Sequence, residues 1–301
     1  MRNEYKRSDI FRCTHESHHG FGNVVSVYHV LKEKKCYPNG CIYFKWMCRK
    51  LNKGVPCPKS FKHVGRKCPS CPDYYDEKII KRPHLLLNKK EYQDFLNDLE
   101  NFQIWLHSKN NKEVECAGTI KSVKPRFIMA PHNQRFNLLL KGFLILFKEG
   151  FIDLTFFEDS FYAILSPLQQ NRFQLGEGDK IEIRATLRID RGRLILHRVR
   201  RVEVEEKTSL TFWTIREAKE ALLCSTLLDD QSEKCLLCLH SCLVDIDDSD
   251  TGELRSTSHG QRRRKLLCLK GVSTPEYCIV QAQEELCPID YCQGEGIQQF
   301  S

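Results

Sequence analysis

Cysteine is the residue whose number and spacing in this chain predict a definite chemistry, because 16 of the 301 residues are cysteines. Two pairs, Cys68/Cys71 and Cys235/Cys238, have the C-x2-C spacing that lets both thiolates reach one tetrahedral zinc ion. The sequence therefore predicts two or more zinc ions per chain. Their ligands are drawn from Cys36, Cys41, Cys48, Cys57, Cys68, Cys71, Cys235, Cys238, Cys268 and Cys278.

The sequence alone does not decide which cysteines complete the ligand sets of the two C-x2-C pairs. The first pair can be completed from Cys36, Cys41, Cys48 and Cys57. The second pair departs from the zinc-ribbon pattern, because nine residues rather than two separate Cys268 from Cys278. Cys242, Cys287 and Cys292 are therefore the alternative ligands. An iron–sulfur cluster is less favoured, since the spacing matches neither ferredoxin pattern. Disulfides are less favoured, since the N-terminus lacks a signal peptide. Plain buried thiols are less favoured, since a segment too small for a large core needs another source of stability.

Residues 1–35 carry further ligand types, with Cys13, His15, His18 and His19 within seven residues. Their spacing lacks the paired arrangement of structural zinc sites. We expect this segment to be a weakly ordered approach to the metal module that lends it at most one ligand.

Positive charge is concentrated at the N-terminal end. Residues 1–87 carry 18 Lys/Arg against 7 Asp/Glu, a net charge of +11, whereas residues 88–207 carry +3 and residues 208–301 carry −6. Cations alternate with aromatic residues there, which suits phosphate contact with base stacking. The predicted nucleic-acid contacts of this module are Lys45, Trp46, Arg49, Lys62, Arg66 and Lys67. The alternative is a small fold that wraps aromatic residues around its metal and is solubilised by its charges.

A small β-domain lies between the two cysteine-rich regions. From Gly178 to Asp190, apolar and polar residues alternate as in a strand with one buried face. Arg191-Gly192 then links this strand to a second β-rich run, which predicts an antiparallel hairpin. Three further strands are predicted upstream, at residues 114–123, 135–147 and 151–165, the last interrupted near Glu158.

These five strands resemble the OB-fold, a five-stranded Greek-key barrel. The resemblance depends on Leu175-Gly176-Glu177-Gly178-Asp179 leading into the alternating strand and on the basic hairpin after it. It implies oligonucleotide binding on one face of the barrel. The expected contacts there are Lys124, Arg126, Phe127, Arg135 and Lys141, joined by Arg184, Arg188, Arg198 and Arg200 of the hairpin. The hairpin arginines could instead pair with nearby carboxylates such as Glu182 and Glu203.

Two helices are predicted around this domain. One is opened by Asn88 as N-cap with Glu91 at the third helical position, and it carries an apolar stripe. The other spans residues 208–228, with a capping box at Thr214 and Glu217. The chain is thus predicted to be α+β, with a basic Cys-rich zinc-binding module (1–87), a linking amphipathic helix (88–112), an OB-like β-barrel (113–207) and a helix plus C-terminal zinc-ribbon-like module (208–301).

The sequence lacks the nucleophile-elbow, P-loop and zinc-protease motifs, so we expect no enzyme. No run reaches the roughly 18 apolar residues of a membrane span, which predicts a cytoplasmic protein. The function predicted is a zinc-stabilised protein that binds single-stranded DNA or RNA. The alternatives are an accessory or protein-interaction module, as in proteins that pair a zinc ribbon with an OB barrel and partner thiolase-type enzymes in acyl transfer, or an iron–sulfur protein.

Overall fold

The computed structural model describes residues 1–132, 135–228, 235, 238–246, 264–274 and 278. Two compact units make up the chain. One comprises Glu4–Asn101, and the other combines Met1–Asn3 with Phe102–Ser301. We refer to them as the cysteine-rich unit and the strand-rich unit.

The cysteine-rich unit contains two small sheets. One has the strand order β2-β1-β5 and the other is the antiparallel ribbon β3-β4. A four-residue helix, α1, follows β3 directly. The bounds are β1 Phe11–Arg12, β2 Val24–Val25, β3 Cys41–Cys48, α1 Arg49–Asn52, β4 Tyr74–Lys81 and β5 His84–Leu85. The first 35 residues are therefore not an approach segment without structure, because β1 pairs with both β2 and β5.

The predicted linking helix is present as α2, Lys89–Lys109. Its predicted capping box is confirmed, since Asn88 Oδ1 accepts the Glu91 N–H at 3.0 Å and the Glu91 carboxylate accepts the Asn88 N–H at 2.9 Å. The apolar stripe is confirmed as well, because Phe95, Leu99 and Phe102 are all buried.

The strand-rich unit is built on long strands whose alternation is visible in their burial. In β10, every second residue from Ile181 to Leu187 is buried. The predicted hairpin is confirmed, with Arg191 and Gly192 both at positive φ (50° and 79°) between antiparallel strands. The elements are β6 Glu113–His132, β7 Arg135–Ile152, β8 Thr155–Phe157, β9 Phe161–Leu165, α3 Pro167–Phe173, β10 Lys180–Asp190, β11 Arg193–Glu206, α4 Ile215–Leu223, β12 Thr226–Leu228, β13 Ser241–Ile246 and β14 Arg264–Cys268.

Five of these strands pair in a circuit. Strand β6 pairs with β7, β7 with β9, β9 with β11, β11 with β10, and β10 again with β6. All of these pairings are antiparallel except β9–β11, which is parallel. The side chains of Phe143, Ile145, Phe161, Ala163 and Leu196 are fully buried within this circuit.

Two predicted elements are divided or shortened in the structure, whereas the predicted strands 114–123 and 135–147 are longer there. The third predicted strand, 151–165, is divided between the end of β7 and the short strands β8 and β9, because the chain turns at Asp153 and again after Phe157. The second predicted helix, 208–228, is reduced to α4, since it begins only after the Thr214 cap, and residues 226–228 form β12 instead.

Strands β12, β13 and β14 join the five strands of the circuit and β8 in one nine-stranded sheet. Strand β13 runs parallel to the end of β6, with Asp245 opposite Ile128, and β14 pairs with both β13 and β12. A buried ion network supports this junction, because Asp245 accepts from Arg126 at 3.2 Å and from Arg264 at 2.6 Å. Among the described residues, no helix is both long enough and apolar enough to cross a membrane.

A buried carboxylate fixes the start of β10. Asp179 is fully buried and accepts hydrogen bonds from the backbone N–H groups of Gly176 (2.9 Å), Thr208 (2.9 Å) and Ser209 (2.8 Å) and an ion pair from Lys207 (2.7 Å). Burial alone would raise the pKa of Asp179, but Lys207 and these N–H donors outweigh it and hold the pKa at about 2. The segment after β11 is thereby fastened to the start of β10.

We expect Asp179→Asn to lower the free energy of unfolding at pH 7 by about 2–4 kcal/mol, because an amide cannot accept all of these bonds and leaves buried donors unpaired. The contribution of the carboxylate is fully present above its unfolded pKa of about 4. It is lost as the pH falls toward 2, so the parent and the variant should converge there. Urea unfolding at several pH values measures this, with Asp98→Asn on the exposed face of α2 as control. An Asp179→Asn variant as stable as the parent at pH 7 would contradict the assignment.

Candidate metal centre and nucleic-acid interface

Four cysteines of the cysteine-rich unit line a single cavity of about 200 Å³. They are Cys48, Cys57, Cys68 and Cys71, and His63 lies on the same wall. The β3-β4 ribbon explains the convergence, because Cys48 at the end of β3 is paired with Tyr74, three residues after Cys71. The connection between the two strands carries Cys57 and Cys68 back to the same end of the ribbon.

Backbone N–H groups surround two of these sulfurs. The Gly65 N–H donates to Cys68 Sγ at 3.4 Å, and the Cys71 N–H donates to the Cys68 carbonyl at 2.8 Å, which closes the C-x2-C turn. Hydrogen bonds from the backbone of Phe61 and Lys59 lower the pKa of the Cys57 thiol. Such N–H donors stabilise a thiolate and are typical of the surroundings of metal-bound sulfur.

The geometry of β3 separates the predicted ligands into two groups. Cys41 and Cys48 stand at opposite ends of this eight-residue strand. At about 3.3 Å per residue their Cα atoms are roughly 23 Å apart, too far to share an ion. Cys48 and Cys57 therefore lie with the C-x2-C pair, whereas Cys41 lies beside Cys36, since the Gly40 N–H donates to the Cys36 carbonyl.

The four sulfurs around the cavity fit the donor set of a structural zinc site. Within the part of the chain that the structure describes, no group of three or more His, Cys, Asp or Glu side chains is already arranged to hold a metal ion. Zinc binding would thus require the thiols to lose their protons and turn toward the cavity. The zinc site stays a prediction.

The C-terminal cysteines lie in a different environment. Cys235 is buried in a small apolar cluster with Leu228 and Leu266, and Cys268 packs against it. The His240 N–H donates to Cys238 Sγ at 3.4 Å, as in a metal-binding turn. Burial raises the pKa of Cys242 to about 12. Cys278 is described only as a partly buried residue, and Cys287 and Cys292 lie outside the described residues.

The outward face of β3 is apolar and aromatic. Ile42, Phe44 and Trp46 alternate along the strand and are 56%, 61% and 47% exposed. Sequence reasoning selected Trp46 but missed Ile42 and Phe44, although their period of two beside Trp46 was a readable signal. We call these three residues the β3 face.

The predicted basic residues of this unit are on its surface. Lys62, Arg66 and Lys67 are exposed and form no ion pair with any described residue. Lys45 lies 3.5 Å from Glu16, and Arg49 donates to the Pro72 carbonyl at 3.2 Å while lying over the Tyr75 ring.

The predicted contacts of the strand-rich unit are only partly on its surface. The prediction for Phe127 is wrong, because its ring is fully buried and cannot stack on a base. Lys124 and Arg126 are engaged within the fold, since Lys124 Nζ donates to the Cys238 carbonyl at 2.6 Å and Arg126 pairs with Asp245. The side chain of Arg135 lies outside the described part of the chain.

The remaining predicted cations differ in their pairing. Arg184 pairs with Glu115, and Arg200 lies 3.0 Å from Glu113. Lys141, Arg188 and Arg198 are exposed and have no ion pair within the described residues. Among the predicted cations whose side chains are described in this unit, these three can therefore meet a phosphate without losing a carboxylate partner.

A second cavity, of about 400 Å³, lies within the strand-rich unit. Its walls include Lys124, Phe212, Trp213, Glu217 and His240. It offers aromatic rings beside a cation, although both Lys124 and Glu217 already have partners, Glu217 in the capping box of α4.

Comparison with models of known protein families gives no match, and comparison with curated proteins gives none either.

We expect Cys71→Ser to lower the zinc content by about one ion per chain and to destabilise the cysteine-rich unit, because zinc bound at Cys71 supplies part of the folding free energy of that unit. The strands of the other unit should persist, since their buried residues form a core within Phe102–Ser301. Elemental analysis and far-UV circular dichroism measure the two effects, with Cys224→Ser, an exposed thiol, as control. Unchanged zinc in the Cys71→Ser variant would rule out this ligand set.

Proposed function

We propose that the protein is a zinc-stabilised module that binds single-stranded DNA or RNA. The main support for this function is the β3 face, where Phe44 and Trp46 are exposed to solvent. They lie on a unit in which Lys62, Arg66 and Lys67 form no ion pair with any described residue. Exposed rings offer stacking to any base, and nearby lysines and arginines attract the phosphates.

Zinc has a structural role in this function. The ion would be held by Cys48, Cys57, Cys68 and Cys71. It would cross-link these four positions at the end of the β3-β4 ribbon. With all four ligands from cysteine, no coordination position is left open for a substrate, as it is in catalytic zinc sites. The zinc therefore keeps the strand that carries Phe44 and Trp46 in place.

The strand-rich unit contributes a second surface. Its circuit of five strands supports an OB-like barrel, because a sheet closes into a barrel when its first and last strands pair. In this barrel, Arg188 and Arg198 on the β10-β11 hairpin contact the backbone of the nucleic acid. Arg184 and Arg200 contribute less, since Glu115 and Glu113 already neutralise them.

We expect the zinc-loaded protein to bind a fluorescent single strand with an affinity that falls steeply as salt rises, because phosphate contacts release counterions. Fluorescence anisotropy at several salt concentrations measures this. Arg66→Glu should weaken binding and flatten the salt slope, whereas Lys219→Glu on the exposed side of α4 should change neither. An affinity that does not depend on salt, or no binding at low salt, rejects nucleic acid and favours a protein partner for the β3 face.

We also expect Phe44→Ala to weaken binding by about fivefold to a hundredfold at constant salt, since one stacked base contributes about 1–3 kcal/mol. The slope against salt should not change, because no charge is removed. Phe156→Ala is the matched control, as this ring is 41% exposed but lies in the strand-rich unit. Equal losses in both variants would mean that the β3 face does not stack on bases.

A further inference from the structure

Three cysteines meet in the cysteine-rich unit away from the cavity of Cys48 and Cys71. Cys41 and Cys13 both lie close enough to Cys36 to interact with its thiol, and Cys36 Sγ donates to the Val30 carbonyl at 3.9 Å. Cys13 and Cys36 are only 3% and 4% exposed. The sequence assigned Cys13 to an approach segment, but the fold places it beside two predicted ligands.

Local packing explains how Cys13 reaches this place. Strand β1, which ends one residue before Cys13, is paired on both edges. The ring of Phe11 in β1 packs on Tyr37 at 5.0 Å between centroids, and Tyr37 directly follows Cys36. The Cys13 N–H also donates to the Asn23 carbonyl at 3.0 Å. Cys13 is thus held by regular structure.

A tight turn brings Cys36 and Cys41 together. The Gly40 N–H donates to the Cys36 carbonyl, and Gly40 has a φ of +94° that L side chains rarely adopt. A Cβ at this position would also meet Arg82 Cγ at 2.9 Å. The C-x4-C segment therefore reverses its direction and brings Cys36 and Cys41 near each other, as a metal-binding turn does.

A histidine lies on the same side of the ribbon. His15 is two residues from Cys13, and its ring packs on Tyr43 at 4.5 Å. Tyr43 shares a face of β3 with Cys41, because residues two apart on a strand point the same way and both are partly buried. His15 therefore lies near both Cys13 and Cys41, through its own place in the sequence and through its contact with Tyr43.

We propose that Cys13, Cys36 and Cys41, with His15 as fourth ligand, bind a second zinc ion in the cysteine-rich unit. Three cysteines and one histidine form a standard tetrahedral zinc set. Binding would replace the weak hydrogen bond from Cys36 Sγ to the Val30 carbonyl, form three metal–sulfur bonds and release the three thiol protons to solvent. This site is separate from the one at Cys48 and does not depend on nucleic-acid binding.

The test is zinc stoichiometry by elemental analysis of the full chain, with single and double variants. Cys13→Ser should lower the content by one ion per chain, Cys71→Ser by one, and the double variant by two. The control Cys116→Ser, a fully buried thiol of the strand-rich unit, should keep the parent's content. Cys13→Ser with the parent's zinc content would overturn the proposal, as would a double variant that loses no more zinc than Cys71→Ser.

A second variant covers the case in which Cys13→Ser does not fold. His15→Cys should keep the parent's zinc content and, in the cobalt-substituted protein, increase the sulfur-to-cobalt charge-transfer absorbance, because one more thiolate joins the metal. Unchanged charge-transfer absorbance in His15→Cys would show that residue 15 is not a ligand and would overturn the four-residue set.

Discussion

Hydrogen-bond satisfaction along β6 is the constraint on which the strand-rich unit depends. This strand has 20 residues and meets three others, β7 along most of its length, β10 at its start and β13 at its end. A straight strand cannot serve such different neighbours, and the register shifts near Gly118, Ile120 and Arg126 provide the bends. Because each neighbour uses the N–H and C=O groups of β6, a change that straightens it would expose several edges at once.

The β3-β4 ribbon of the cysteine-rich unit meets a different constraint, which is that few of its large side chains are buried. The ribbon exposes Ile42, Phe44, Trp46 and Ile80 to solvent, so these side chains do not contribute to a core. A ribbon that leaves its large side chains exposed to solvent needs another source of stability, and cysteine–metal bonds are the source its composition offers. The same residues become available for recognition because they are not used for packing.

Local patterns could be predicted from the sequence, whereas long-range pairing could not. The β10-β11 hairpin and both capping boxes follow from alternation and from residues three or four apart, and all are present. The length of β6 was underestimated, since Pro125 and the cations around it interrupt the alternation that marks a strand. The grouping of the cysteines depends on Cys48 pairing opposite Tyr74 across 25 intervening residues, and spacing alone cannot show that register. Phe127 was misassigned because a ring beside two cations resembles a stacking site, although β6 turns that position inward.

The distribution of ion pairs explains why the two units should differ in their attraction for a polyanion. In the strand-rich unit Arg126, Arg184, Arg200 and Arg264 each have a carboxylate partner, so much of its positive charge is neutralised locally. The exposed pairs among them contribute only about 0–1 kcal/mol to stability. They nevertheless reduce the field that reaches a distant phosphate. Residues 1–87 have an excess of 11 cations and therefore cannot be neutralised by their own carboxylates. If the protein binds nucleic acid as proposed, the cysteine-rich unit would therefore attract it more strongly than the strand-rich unit.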